Sequence, residues 1–171
     1  MIRRIAITGP ESTGKSILAA QLARYFQTVW VPEYAREYLE KLDRPYQEKD
    51  IVAIARGQLA SETVLLKMAS EYLFCDTDLL VTKIWSEVKY DHCDPWILQS
   101  IESHRYDLHL LCDIDLPWQF DPLREHPDKR QYLVDLYYNE LTGRKFPFAV
   151  VRGLGDDRLA CALKSIENFP F

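Results

Sequence analysis

An eight-residue segment near the amino terminus, Gly9-Pro10-Glu11-Ser12-Thr13-Gly14-Lys15-Ser16, carries the sharpest chemical signal in the sequence. It matches G-x-x-x-x-G-K-[ST] between a run that reads as strand and a run that reads as helix, the context in which this spacing makes a phosphate-binding loop. Such a loop wraps a phosphate with its amide hydrogens facing inward, and glycine supplies the backbone angles and the close approach. The helix that follows points its positive end at the same anion. Lys15 then reaches the β- and γ-phosphates of a nucleoside triphosphate, and the Ser16 hydroxyl helps to hold magnesium. Gly9, Glu11, Ser12, Thr13, Gly14, Lys15 and Ser16 are accordingly the candidate cofactor-binding residues, with ATP and Mg2+ as the cofactors. A chance match in a chain this long is about a one-in-a-thousand event.

A phosphate loop specifies binding, not a reaction. A GTPase would need a guanine-reading N-K-x-D after a late strand, and neither asparagine in the chain, Asn139 or Asn168, begins one. A hexameric ATPase motor would need a separate helical lid domain, for which a chain of this length leaves no room. A small-molecule kinase needs three further features, and each has a candidate. The first is an acidic residue at the end of the third strand, where Asp76 would orient magnesium or its waters beside Ser16; Asp78, two residues on, would point at the acceptor, unless one of the two simply caps the next helix. The second is an acceptor-side carboxylate. Glu33 follows strand two, where a carboxylate orients a sugar hydroxyl and takes its proton during in-line transfer. Arg36 lies within one turn of it, and the plainer alternative is a surface Glu33–Arg36 ion pair. The third is a mobile basic lid at about 119–130, in which Arg124 and Arg130 would close over the triphosphate and supply charge to the transferring group. Its mixed charges also fit an ordinary solvated loop.

Four tryptophans are many for a chain of 171 residues. Trp85 follows Asp78 by two helical turns and is the first candidate for stacking on a flat heterocycle, with Trp118 the second; the alternative for both is a place in the core. Arg152 opens a loop with two glycines after the last strand, where kinases of this type hold adenine, although an ordinary turn fits as well. His92 lies in YDHCD, which resembles a metal cluster superficially and reads better as a polar turn between helices. The four cysteines form no C-x-x-C pair, which points to reduced thiols in a cytoplasmic protein.

These groups need a frame to position them. Strand-like runs at 2–8, 28–31, 72–75, 106–112 and 147–151 alternate with helical patterns at 15–27, 47–70, 78–90, 95–105, 129–141 and 156–167. Asp94 is a cap candidate, with Pro95 at the first helical position. Each gap is long enough for a parallel crossover. The expectation is a single α/β domain over 1–171, a P-loop NTPase with a five-stranded parallel sheet and helices on both faces. At 47% hydrophobic and 27% charged residues the composition is that of a globular protein. A net charge of −5 argues against a duplex nucleic-acid partner. No apolar run approaches the roughly 18 residues of a membrane-spanning helix.

With ITGPESTGKS, VPEYARE, FCDTD and CDIDLPWQFDPLRE in view, the sequence resembles the ribosylnicotinamide kinase domain of the NadR family over nearly its whole length. The resemblance implies ATP-dependent phosphorylation of the ribose 5′-hydroxyl of nicotinamide riboside, giving nicotinamide mononucleotide. That family often joins this domain to an adenylyltransferase with an H-x-G-H motif. No such motif occurs here, so that second activity is not expected of this sequence. Two other readings stay open from the residues alone. One is a slow ATP-hydrolysing switch with a protein partner, and the other is a kinase of another nucleoside or nucleotide. The choice between ATP and GTP, and a homo-oligomeric state, are likewise open.

Overall fold

The computed structural model describes residues 1–126 and 128–171. Five strands, β1 (Arg3–Thr8), β2 (Trp30–Val31), β3 (Tyr72–Asp76), β4 (Leu108–Cys112) and β5 (Phe148–Val151), form one sheet in the order β2-β3-β1-β4-β5. Every pairing is parallel. The helices are α1 (Lys15–Tyr25), α2 (Tyr34–Glu40), α3 (Glu48–Leu65), α4 (Leu79–Tyr90), α5 (Pro95–Ser103), α6 (Arg130–Gly143) and α7 (Gly155–Glu167). This is the expected α/β architecture.

Strands buried on both faces need apolar side chains at every position rather than at alternate ones, and every residue of β3 and β4 is buried. On one face Ile5, Ile7, Phe74 and Leu110 pack under Leu18 and Leu22 of α1 and Ile166 of α7. On the other, Leu111 meets Ile51, Ile84, Ile97 and Leu133, which bring in α3, α4, α5 and α6. Each such side chain contributes about 1.5–3 kcal/mol on burial. In the sheet register Ile7 lies beside Asp76. The end of β1, where the phosphate loop begins, is therefore next to the carboxylate that ends β3.

Three elements differ from the sequence reading. The second strand is two residues long, because only Trp30 and Val31 pair with Phe74 and Cys75, while Thr28 turns its hydroxyl onto the Tyr72 carbonyl. The helical pattern over 47–70 ends as α-helix at Leu65 and tightens into a 3-10 turn over Leu66–Met68. Residues 34–40 form a helix that periodicity did not predict, since α2 buries none of its residues. Asp94 caps α5 with Pro95 at its first turn, as expected. His92 lies between α4 and α5 and faces Glu48 at 2.6 Å. No group of metal-ligating residues occurs among the described residues, and all four cysteines are free. Among the same residues no helix is long and apolar enough to cross a membrane.

Candidate active site

The segment after β1 folds as a tight loop around its own backbone. Gly9 has φ 129°, and a Cβ there would stand 2.9 Å from the Cys112 carbonyl. Gly14, at φ 75°, would press a Cβ to 2.8 Å from Leu116. Both positions favour glycine for conformation, and at Gly9 the neighbouring backbone also leaves no space for a Cβ. Lys15 Nζ donates to the carbonyls of Gly9 (3.0 Å) and Pro10 (2.8 Å), which holds the ammonium at the mouth of the loop. Thr13 closes the turn by donating to the Pro10 carbonyl. The amino end of α1 has no side-chain cap and no acidic residue in its first turn. Its free N–H groups and helix dipole suit an anion.

Asp76 lies under this loop, 1% exposed. Burial first, and then the Glu33 carboxylate, push its carboxyl up to about 6, while the Ser16 hydroxyl, Lys15 and the Glu33 backbone N–H draw it back. Its Oδ1 is buried and has no hydrogen-bond partner among the described residues. A buried carboxylate oxygen without a donor, beside a serine hydroxyl, fits a hard divalent cation. The raised value has a stability consequence. The folded protein keeps the Asp76 proton up to about pH 6, while the unfolded chain releases it near 3.8. Stability therefore falls as pH rises between these values, and the cost persists above them. Asp76→Asn is expected to stabilise the fold by about 2–3 kcal/mol at pH 7.5, with the gain shrinking as pH falls toward 4. It is also expected to raise the magnesium needed for activity. Urea titrations at several pH values and a magnesium titration check the two halves; an unchanged magnesium profile would leave Asp76 a structural group.

Across the cavity, which measures about 340 Å³, stands Glu33. It precedes α2 at its N-cap position, but its side chain makes no capping bond, so the carboxylate is left to the cavity that it lines. Arg36 does not pair with it. The guanidinium reaches Asp121 of the 119–130 segment at 2.8 Å instead. Trp85 lines the same cavity with Val81, Ile84, Val88 and Tyr137. Its Nε1 donates to the Tyr46 hydroxyl (2.8 Å), which donates in turn to Glu125 (2.6 Å). Burial and the Glu125 carboxylate push the Tyr46 hydroxyl up to about 12, so it stays a donor. The indole is thereby held at a fixed angle beside an apolar wall.

The 119–130 segment closes over the phosphate loop. Arg124 lines the cavity and directs Nη1 to Ser12 Oγ at 3.3 Å. Arg130 donates to the carbonyls of Ser12 (3.0 Å) and Leu116 (2.8 Å), so it braces the loop from outside the cavity. Glu11 belongs to the loop by its backbone. Its carboxylate accepts from the N–H groups of Glu125 (3.0 Å) and His126 (2.8 Å) and ties the segment down. Burial raises the Glu11 carboxyl, and these two N–H groups offset part of the rise.

Besides Arg130, three expected site residues stand elsewhere. Asp78 is a cap, not a substrate contact: its carboxylate accepts from Val81 N–H (3.2 Å) and from the Thr8 hydroxyl (3.0 Å), with His109 at 3.6 Å on its other side. It is 1% exposed and outside the cavity. Trp118 does not line the cavity either; its ring lies 5.9 Å from the Arg124 guanidinium. Arg152 is 70% exposed and paired with Asp113 on the surface. The arginine that serves this region is Arg158, which sequence reasoning missed. From the first turns of α7 its guanidinium donates to the carbonyls of Thr13, Asp113 and Gly153 and to the Asp115 carboxylate. One buried side chain thus joins the phosphate loop to the loops after β4 and β5. Arg158→Met is expected to cost about 3 kcal/mol of stability, because it strands these acceptors. Urea denaturation measures it, and a loss below about 1 kcal/mol would contradict the bracing role. Tyr46, Tyr137, Asp121 and Glu125 are the other residues of the site that no spacing in the sequence indicated.

A parallel sheet in this strand order, with a phosphate loop after β1 and a carboxylate beside it at the end of β3, defines a P-loop nucleotide-binding fold. The family model described as an AAA domain matches residues 4–158, and the chain belongs to that family. It is 32% identical over 129 residues to the trifunctional NAD biosynthesis/regulator protein NadR of Salmonella typhimurium and to that of Escherichia coli. The match covers 72% of this chain and 31% of those proteins, so the chain spans about a third of their length. Among solved structures it resembles a NadR protein in complex with NR (TM-score 0.81, 21% identity, 97% of this chain and 51% of that one). It also resembles the same type of protein in complex with NAD and AMP-PNP (TM-score 0.77, 21% identity, 97% of this chain and 49% of that one). Deoxyadenosine kinase from M. mycoides matches over 97% of this chain and 100% of its own, with a TM-score of 0.67 at 16% identity.

Proposed function

We propose that the protein transfers the γ-phosphoryl group of ATP to the 5′-hydroxyl of a ribonucleoside, nicotinamide riboside before others. The observation that carries this reading is the content of one cavity: the phosphate loop with Lys15, the Glu33 carboxylate facing it, and the Trp85 indole on an apolar wall. The phosphate loop and the amino end of α1 hold the triphosphate. Ser16 and Asp76 would hold magnesium, which when bound neutralises phosphate charge. Glu33 accepts a hydrogen bond from the acceptor hydroxyl and takes its proton as the oxygen attacks the γ-phosphorus. The bond from that phosphorus to the oxygen bridging it to the β-phosphorus breaks, and the electron pair leaves on ADP. Arg124 and Lys15 face the charge on the transferring group, and the 119–130 segment excludes water. Trp85 offers a face on which a flat ring stacks. The similar proteins point the same way, since a NadR protein binds NR in one structure and AMP-PNP in another.

A thermal-shift panel with nicotinamide riboside, thymidine and cytidine, each with and without AMP-PNP and magnesium, tests the acceptor assignment. The largest stabilisation is expected for nicotinamide riboside. A larger shift with thymidine or cytidine would move the acceptor to another nucleoside, and no shift with any of the three would favour a switch.

A further inference from the structure

Glu33 stands on an element that the hydrophobic core does not hold. The helix it opens, α2, is seven residues long and has no fully buried residue, so polar contacts share in setting where Glu33 stands. Two adjacent residues of α3 meet this segment. Gln58 is 2% exposed; its Oε1 accepts the Tyr34 N–H at 2.9 Å, directly after Glu33 in the chain. Its Nε2 donates to the carbonyls of Asp76 (3.3 Å) and Thr77 (3.4 Å), where the backbone leaves β3 through a left-handed Thr77 at φ 77°. A buried amide with both ends satisfied by the backbones of two different segments is a strut between them. Gly57, the preceding residue, seats the Tyr34 ring: a Cβ there would come within 2.0 Å of Tyr34 Cε1 and 2.3 Å of Cδ1.

We propose that Gln58, with Gly57 beside it, is a positioning residue that fixes the start of α2 against the end of β3 and so aims the Glu33 carboxylate across the cavity at the phosphate loop. The inference rests on the reading of Glu33 as the acceptor carboxylate. It adds that one amide on a third element, together with the Glu33 N–H that faces Asp76, ties the acceptor side to the carboxylate under the phosphate loop. Neither Gln58 nor Gly57 lines the cavity.

The test uses the full chain with Gln58→Met, which keeps length and apolar volume but removes all three hydrogen bonds, and Gly57→Ala, which keeps Gln58 and displaces the Tyr34 ring. Acceptor-dependent kcat is expected to fall at least about tenfold in each, since a displacement of about 1 Å in a reacting group costs up to about 10²-fold. The KM for ATP and the hydrolysis of ATP without acceptor stay within about twofold, and crystal structures of the variants show Glu33 displaced. A uniform loss of both activities with unchanged Glu33 coordinates would reduce Gln58 to a structural residue. Retained acceptor-dependent kcat in a wild-type background that phosphorylates a nucleoside would overturn the proposal alone. A wild-type protein that phosphorylates no nucleoside would overturn the kinase reading and the positioning role with it. Should Gln58→Met fail to fold, the same readouts on Gly57→Ala decide.

Discussion

Lys15→Ala is expected to lower phosphoryl transfer by at least about 10³-fold while the protein stays folded. A fixed cation placed on the transferring phosphoryl group is worth about 10³–10⁵-fold in P-loop enzymes when it is supplied as an arginine, and Lys15 supplies the corresponding charge from the donor side. Among the described residues its ammonium bonds to the carbonyls of Gly9 and Pro10 alone, and it belongs to none of the hydrophobic clusters. Removing it therefore takes away a functional charge and no core contact. Circular dichroism and thermal melting should match the wild type, and turnover should not. Near-wild-type turnover in the variant would remove the phosphate loop from the reaction.

Glu33→Gln is the second large effect, and it separates a kinase from a switch. The substitution keeps the size and most hydrogen-bonding capacity but loses the proton acceptor. A general base contributes about 10²–10⁴-fold, so kcat with a nucleoside should fall at least about 10²-fold. ATP affinity and acceptor-free hydrolysis should change less than acceptor-dependent turnover, because Glu33 stands on the acceptor wall of the cavity while the phosphate loop and Lys15 hold the triphosphate. A protein with no small acceptor would show no such selective loss. If nucleoside phosphorylation survives the change, Asp78 is no substitute base, since its carboxylate is buried outside the cavity beside Thr8 and the amino end of α4.

The parts of the structure that were legible in the sequence are those with strong periodicity or a strict spacing. β3 and β4 read as continuous apolar runs because both faces of the sheet are covered, and the phosphate loop reads from its glycines and lysine alone. α2 was not legible, because YAREYLE has no buried stripe to betray a helix. Asp76 reads as the end of a strand from the apolar run before it, and β3 ends there. Asp78 had two readings, and the cap prevailed because the turn into α4 carries its carboxylate into the protein beside Thr8. Among the arginines, Arg152 draws attention in the sequence because it stands beside the glycines, and Arg158 does not. The left-handed turn at Gly153 instead brings the next turn of chain, with Arg158, against the loop carbonyls. Gln58 and Arg158 share one reason for being missed. Their partners are backbone carbonyls and N–H groups of distant segments, which leave no mark in a residue pattern; on a helix such polar side chains look like a solvated face.

The most direct measurement of the central claim is transfer of labelled γ-phosphate from ATP to nicotinamide riboside, followed as nicotinamide mononucleotide. The account predicts product that appears only with acceptor present, in equal amounts with ADP, and faster than ATP hydrolysis in its absence. Slow ATP hydrolysis at the same rate with every nucleoside offered, and no phosphorylated nucleoside among the products, would contradict it.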